Sequence, residues 1–121
     1  MPLSPLADAI YDILQPRVPS LSPEITYEDL VARLPALPPP YSGVDVQDSR
    51  LSDALGEIVT ACRAKGLPAL AAVVVRKDTK MPGNGYYPVA HPTAGDDRVQ
   101  QAIAWGNEML MVRKTRFPAT L

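Results

Sequence analysis

Cysteine and histidine occur once each in these 121 residues, as Cys62 and His91, so neither an intramolecular disulfide nor a zinc set built from those ligands can form. A lone thiol on a helix face patterned for burial suits a reducing compartment, and a cytoplasmic chain is expected. No apolar run approaches the roughly 18 residues of a membrane span. No basic stretch leading into an apolar one marks an export leader. Neither export nor membrane association is therefore expected. Also missing are the serine nucleophile elbow, the phosphate loop and the dinucleotide fingerprint. His91, between Ala90 and Pro92, reads as a surface group. Asp96 and Asp97, if helical, point about 100° apart and suit a helix start better than paired acid and base work. The expectation is a non-enzymatic chain with no metal and no cofactor. An enzyme would need a cleft holding Glu57, His91 and Asp97 with a raised carboxyl pKa.

Charge is plentiful but divided. The net charge of −1 conceals a first half, residues 1–60, with three basic groups against nine acidic ones. Residues 61–121 hold nine basic groups against four acidic. Folding can cancel the two halves, or it can leave a basic face open to a polyanion. At this length the chain reads as one domain spanning 1–121.

The most strongly patterned stretch runs from Arg50 to Tyr87. Leu51, Ala54, Leu55, Ile58, Val59 and Cys62 recur at helical spacing, which predicts a helix over about 50–65 with that face buried. Asp48, Ser49 or Ser52 can cap its start, and Gly66 stands just past its end. Leu67-Pro68 blocks continuation. Leu70-Ala71-Ala72-Val73-Val74-Val75 then reads as a strand covered on both faces. Met81 to Gly85 supplies turn residues, and Tyr86-Tyr87 resumes a β-like pattern, so a hairpin is expected. Because the glycine-rich segment is read as leading into a strand, it lacks the helix terminus that would hold phosphate.

Elsewhere proline sets the limits. Ser4-Pro5 is a helix start, and Leu6, Ile10, Ile13 and Leu14 place a first helix at about 4–15. Residues 25–34 read as a short helix opened by Thr26 and ended by Pro35. The 35–49 stretch is a proline-rich loop, either ordered surface or a ligand for a proline-recognising groove. A last helix at about 96–112 carries Val99, Ala102, Ile103, Gly106 and Leu110 in one stripe, with Trp105, Met109 and Val112 beside it. Either it closes the core or Trp105, Met109 and Met111 stay exposed for a partner, including a second copy in a homodimer.

The order helix, helix, helix, strand, turn, strand gives an α+β, winged-helix-like domain with a two-stranded β-hairpin wing and a C-terminal helix. The motifs Ile25-Thr26-Tyr27-x-x-Leu30, Ala54-Leu55-Gly56-x-Ile58, Leu67-Pro68-x-Leu70 and Pro82-Gly83-x-Gly85-Tyr86 resemble those of small winged-helix-like modules in bacterial and phage proteins. More distantly, residues 25–87 are similar to the DNA-binding domain of DNA alkylguanine alkyltransferases. Asp53 stands where that family has its nucleotide-displacing arginine, and Leu67-Pro68-Ala69-Leu70 stands where it has Pro-Cys-His-Arg, so alkyl transfer is not implied.

The resemblance implies a nucleic-acid-binding accessory or regulatory module, with duplex DNA favoured as partner. The cations placed to contact phosphate are Arg50, Arg63, Lys65, Arg76, Lys77, Lys80, Arg113, Lys114 and Arg116. The alternative is a protein-binding module (inhibitor, immunity protein or assembly adaptor) using Tyr41, Trp105, Met109 and Met111.

Overall fold

A computed structural model describes residues 3–121. The first helix, α1 (Pro5–Leu14), begins where the sequence places it. Ser4 caps it by accepting from the Ala7 amide at 3.2 Å, and Leu6, Ala7, Ile10, Tyr11 and Leu14 are buried. Ser4 also donates its amide and hydroxyl to Glu57 at 2.9 and 2.8 Å, which ties the start of α1 to the central helix.

Strand β1 (Ile25–Thr26) precedes a helix, α2 (Tyr27–Ala32). Ile25 was expected inside that helix. Thr26 caps α2 by accepting from the Asp29 amide, so the residue before the cap is extended and free to pair. The central helix, α3 (Ser49–Ala64), buries all six residues of its apolar stripe. Asp48 caps it, and Gly66 follows its end at φ +70 while the Leu67 amide closes back onto the Cys62 carbonyl.

The expected strand over 70–75 is corrected by the structure. Leu70–Val73 winds as a 3-10 turn, and only β2 (Val74–Val75) is extended. β2 pairs in parallel with β1, Ile25 against Val74 and Thr26 against Val75. With a partner only two residues long, the preceding backbone has no strand to bond to. It satisfies itself locally, Ala72 amide to Ala69 carbonyl, and through Trp105, whose Nε1 donates to the Ala72 carbonyl at 2.9 Å.

The hairpin is corrected as well. Beyond β2 the chain folds into a turn closed by Arg76 amide to Met81 carbonyl at 2.8 Å, and Tyr86–Tyr87 begin a helix, α4 (Tyr86–Ala90), rather than a second strand. Both tyrosines are buried, an outcome that alternation along a half-exposed strand would not give. The glycine segment thus opens a helix after all, one of five residues. α4 lies along α3, with Gly85 beside Ser52 and Val89 beside Gly56.

The last helix, α5 (Arg98–Lys114), is capped by Asp97, which accepts from the Val99 and Gln100 amides. The tail after it returns to α1. Phe117 is buried, its carbonyl accepts from Gln15, and the Pro118 carbonyl accepts from the Tyr11 hydroxyl. The architecture is therefore α+β, five helices around one core with a two-stranded parallel sheet. Among the described residues no helix is long and apolar enough to cross a membrane.

Candidate functional site

An open groove of about 590 Å³ lies between α3 and the turn that follows β2. Ser52, Gly56 and Val59 of α3 form one wall, and Arg76, Lys77 and Gly83 belong to the other. Side-chain contacts hold the turn at both ends. Arg76 bonds Asp78 at 2.8 and 3.0 Å, and the Gly83 amide donates to the Tyr27 hydroxyl at 2.9 Å. A Cβ at Gly83 would sit 3.1 Å from that hydroxyl oxygen, a tight contact that glycine avoids. Burial pushes the Tyr27 phenol up, against the opposing pull of the Gly83 amide and Arg76. It stays a neutral donor and acceptor at neutral pH.

Of the nine cations singled out above, four are tied to carboxylates within the fold. Arg50 grips Asp48, with Nε to Oδ1 at 3.0 Å, and also donates to the Pro40 and Ser42 carbonyls. It pins the proline-rich loop to the start of α3. Arg113 pairs with Glu24 at 2.8 Å, Arg76 with Asp78, and Arg63 with Glu108. Lys65, Lys77, Lys80, Lys114 and Arg116 are exposed and have no carboxylate within ion-pair distance among the described residues. They fall at three places: the turn, the end of α3 and the end of α5. Of these five, Lys77 lines the groove, together with the carboxylates of Glu28 and Asp78.

The residues expected at a protein interface also divide. Met109 is 1% exposed and belongs to the core, which corrects its placement as a surface anchor. Trp105 is half-buried with its indole bonded to Ala72. Tyr41 is half-buried in a second, smaller hollow of about 260 Å³ with Leu34, Leu37 and Val44. Met111 is exposed as expected, but its exposed companions on α5 are Val99, Ile103 and Leu110.

Glu108, which belongs to no sequence motif, is the hub of a polar network. It receives both terminal nitrogens of Arg63 at 2.9 Å and the Ala69 amide at 2.7 Å. Burial acts to raise its carboxyl, yet Arg63 and the Ala69 amide outweigh burial and hold it below the usual range. His91 Nε2 lies 3.9 Å from the same carboxylate and 2.8 Å from the Tyr86 hydroxyl. Burial depresses the His91 pKa, against the pull of Glu108, so the imidazole is neutral at pH 7 and Nε2 accepts from Tyr86. Burial also drives the Tyr86 phenol well above its ordinary value. One signal was available: Glu108 is the only acid between Arg98 and Lys114.

This network links α5 to α3 and to α4 through side-chain hydrogen bonds. Glu57 and Asp97, which a catalytic cleft would have to share with His91, are held elsewhere, Glu57 by Ser4 and Asp97 at the cap of α5. Among the described residues no three His, Cys, Asp or Glu side chains converge as metal ligands would. Set against protein families, curated proteins and solved structures, the chain shows no match, so its function is argued from its own residues.

Proposed function

We propose that this chain is a nucleic-acid-binding module whose contact surface is the rim between the turn at 76–80 and the outer side of α3. The observation that carries the reading is the position of Lys77, exposed and unpaired among the described residues, on a turn held by Arg76–Asp78 and Tyr27–Gly83, across an open groove from Ser52 and Gly56. Lys80, exposed and unpaired as well, lies three residues further along the same turn. Ser52 and Gly56 on one wall and Gly83 and Gly85 on the other leave the groove open to a phosphate backbone, whose charge the turn lysines would oppose. The order α1, β1, α2, α3, β2 followed by a projecting segment is compatible with a winged-helix relation, the 76–85 segment taking the wing's place. Kinship with bacterial and phage winged-helix modules, and distantly with the alkylguanine alkyltransferase DNA-binding domain, is part of this proposal. A cytoplasmic setting is too, supported by the single buried thiol of Cys62.

Fluorescence anisotropy with duplex DNA tests it. Binding at low salt should weaken steeply as salt rises, with a logarithmic slope of about −2 to −3 for two or three neutralised phosphates. Lys77→Glu with Lys80→Glu should lower affinity by about tenfold or more, while Lys65→Ala leaves it nearly unchanged. No binding at low salt, or an undiminished double variant, overturns the reading. A second reading, a protein-binding module, is supported by the exposed apolar side chains of α5.

A further inference from the structure

The α5 side chains left uncovered form a line. Val99, Ile103, Gly106 and Leu110 are four, three and four residues apart, within about 60° of one another around the helix. Val99, Ile103 and Leu110 are 65, 52 and 60% exposed, although Met109 and Val112 of the same helix are fully buried. Alternating spacings of three and four are those of a seam between two helices. The flanking positions Gln100, Ala102 and Asn107 are uncharged. Charge returns unequally at the two ends: Asp96, Asp97 and Arg98 open the helix with one net negative charge, and Arg113, Lys114 and Arg116 close it with three positive ones, of which Arg113 is paired with Glu24.

We propose that this seam is the interface of a symmetric antiparallel dimer, with a second copy of this chain as its occupant. When Val99 of one copy lies opposite Leu110 of the other, Ile103 falls opposite Gly106. That glycine offers a hollow, since a Cβ there would meet nothing within 4 Å. In the same register Asp96 comes next to Lys114, which has no carboxylate partner among the described residues, whereas Arg113 opposite it is already held by Glu24, and the two-fold axis repeats the match at the other end. A parallel arrangement would set the aspartates against each other, crowd the basic ends and align the helix dipoles. Charge and shape thus select the antiparallel pair, and the dimer does not depend on the nucleic-acid reading.

Sedimentation equilibrium decides it. The wild type should show twice the monomer mass as concentration rises and should dissociate with added salt. Ile103→Asp and Leu110→Glu should each stay monomeric while keeping the wild-type circular dichroism spectrum, because both positions are exposed in the monomer. Asp96→Lys should weaken the dimer by about tenfold, and adding Lys114→Glu should recover most of that loss. A wild type that remains monomeric, a dimer that survives Ile103→Asp, or a charge swap that recovers nothing overturns the proposal, including in favour of a different protein on that face. Loss of DNA binding in Lys77→Glu, Lys80→Glu with sedimentation unchanged separates the two claims.

Discussion

Helices α3 and α5 are nearly equal in length, 16 and 17 residues, yet they meet the rest of the molecule differently. α3 carries a single stripe of six apolar residues on one face and buries all six. α5 spreads them around its circumference, gives Met109 and Val112 to the core and leaves Val99, Ile103, Leu110 and Met111 in solvent. An apolar stripe at helical spacing reports how many faces a helix must satisfy. One stripe means one packed side, whereas α5 carries a second stripe that its own chain does not cover.

The sharpest way to break this contrast is to shorten one isoleucine on each helix. Ile58→Ala, at a position with no exposure, should cost about 3 kcal/mol in urea unfolding. Ile103→Ala on α5 should cost under about 0.5 kcal/mol at protein concentrations where the chain is monomeric. Similar losses at the two sites would erase the distinction. The joint between the two helices comes next. Glu108→Ala strands Arg63 and the Ala69 amide together, and should destabilise by about 2 kcal/mol, moderated because Arg63 is partly in water. Chemical denaturation of that variant beside Arg63→Ala, which should lose less, would show whether the carboxylate is the hub.

A smaller effect is expected at the start of α5, where Asp97→Ala removes the acceptor for two amides and should cost about 1 kcal/mol by the same measurement. The smallest is a pH dependence. Folding depresses the His91 pKa below its ordinary 6.5, so its contribution is fully present above that value and is lost as pH falls through the lower folded value. Thermal melts at about pH 7.5 and about pH 5.5 should show the wild type losing stability on acidification, and His91→Gln losing less of it.

Much of the helical frame was legible in the sequence, because its signals are local. Ser4-Pro5, the six-residue stripe of α3 and Gly66 past its end each state their role within a few neighbouring positions. What was illegible depended on partners far along the chain. Whether Leu70–Val75 is strand or turn is decided by Ile25 and Thr26, about fifty positions earlier, which offer only two residues of edge. A short apolar run carries no periodicity to arbitrate that question. The glycines at 83 and 85 read as a hairpin tip, but Gly83 is there to admit the Tyr27 hydroxyl, a contact that crosses 56 positions. Likewise a count of cations could not foresee that Arg50, Arg63, Arg76 and Arg113 are occupied by Asp48, Glu108, Asp78 and Glu24.

The central functional claim separates the groove beside α3 from the bare side of α5, and amide chemical-shift mapping during titration with a short DNA duplex tests it directly. The account predicts shifts concentrated at Lys77, Lys80, Gly83 and Gly85 and at Ser52 and Gly56 across the groove, with Val99, Ile103 and Leu110 unmoved. Shifts confined to α5, or none at low salt, would contradict it.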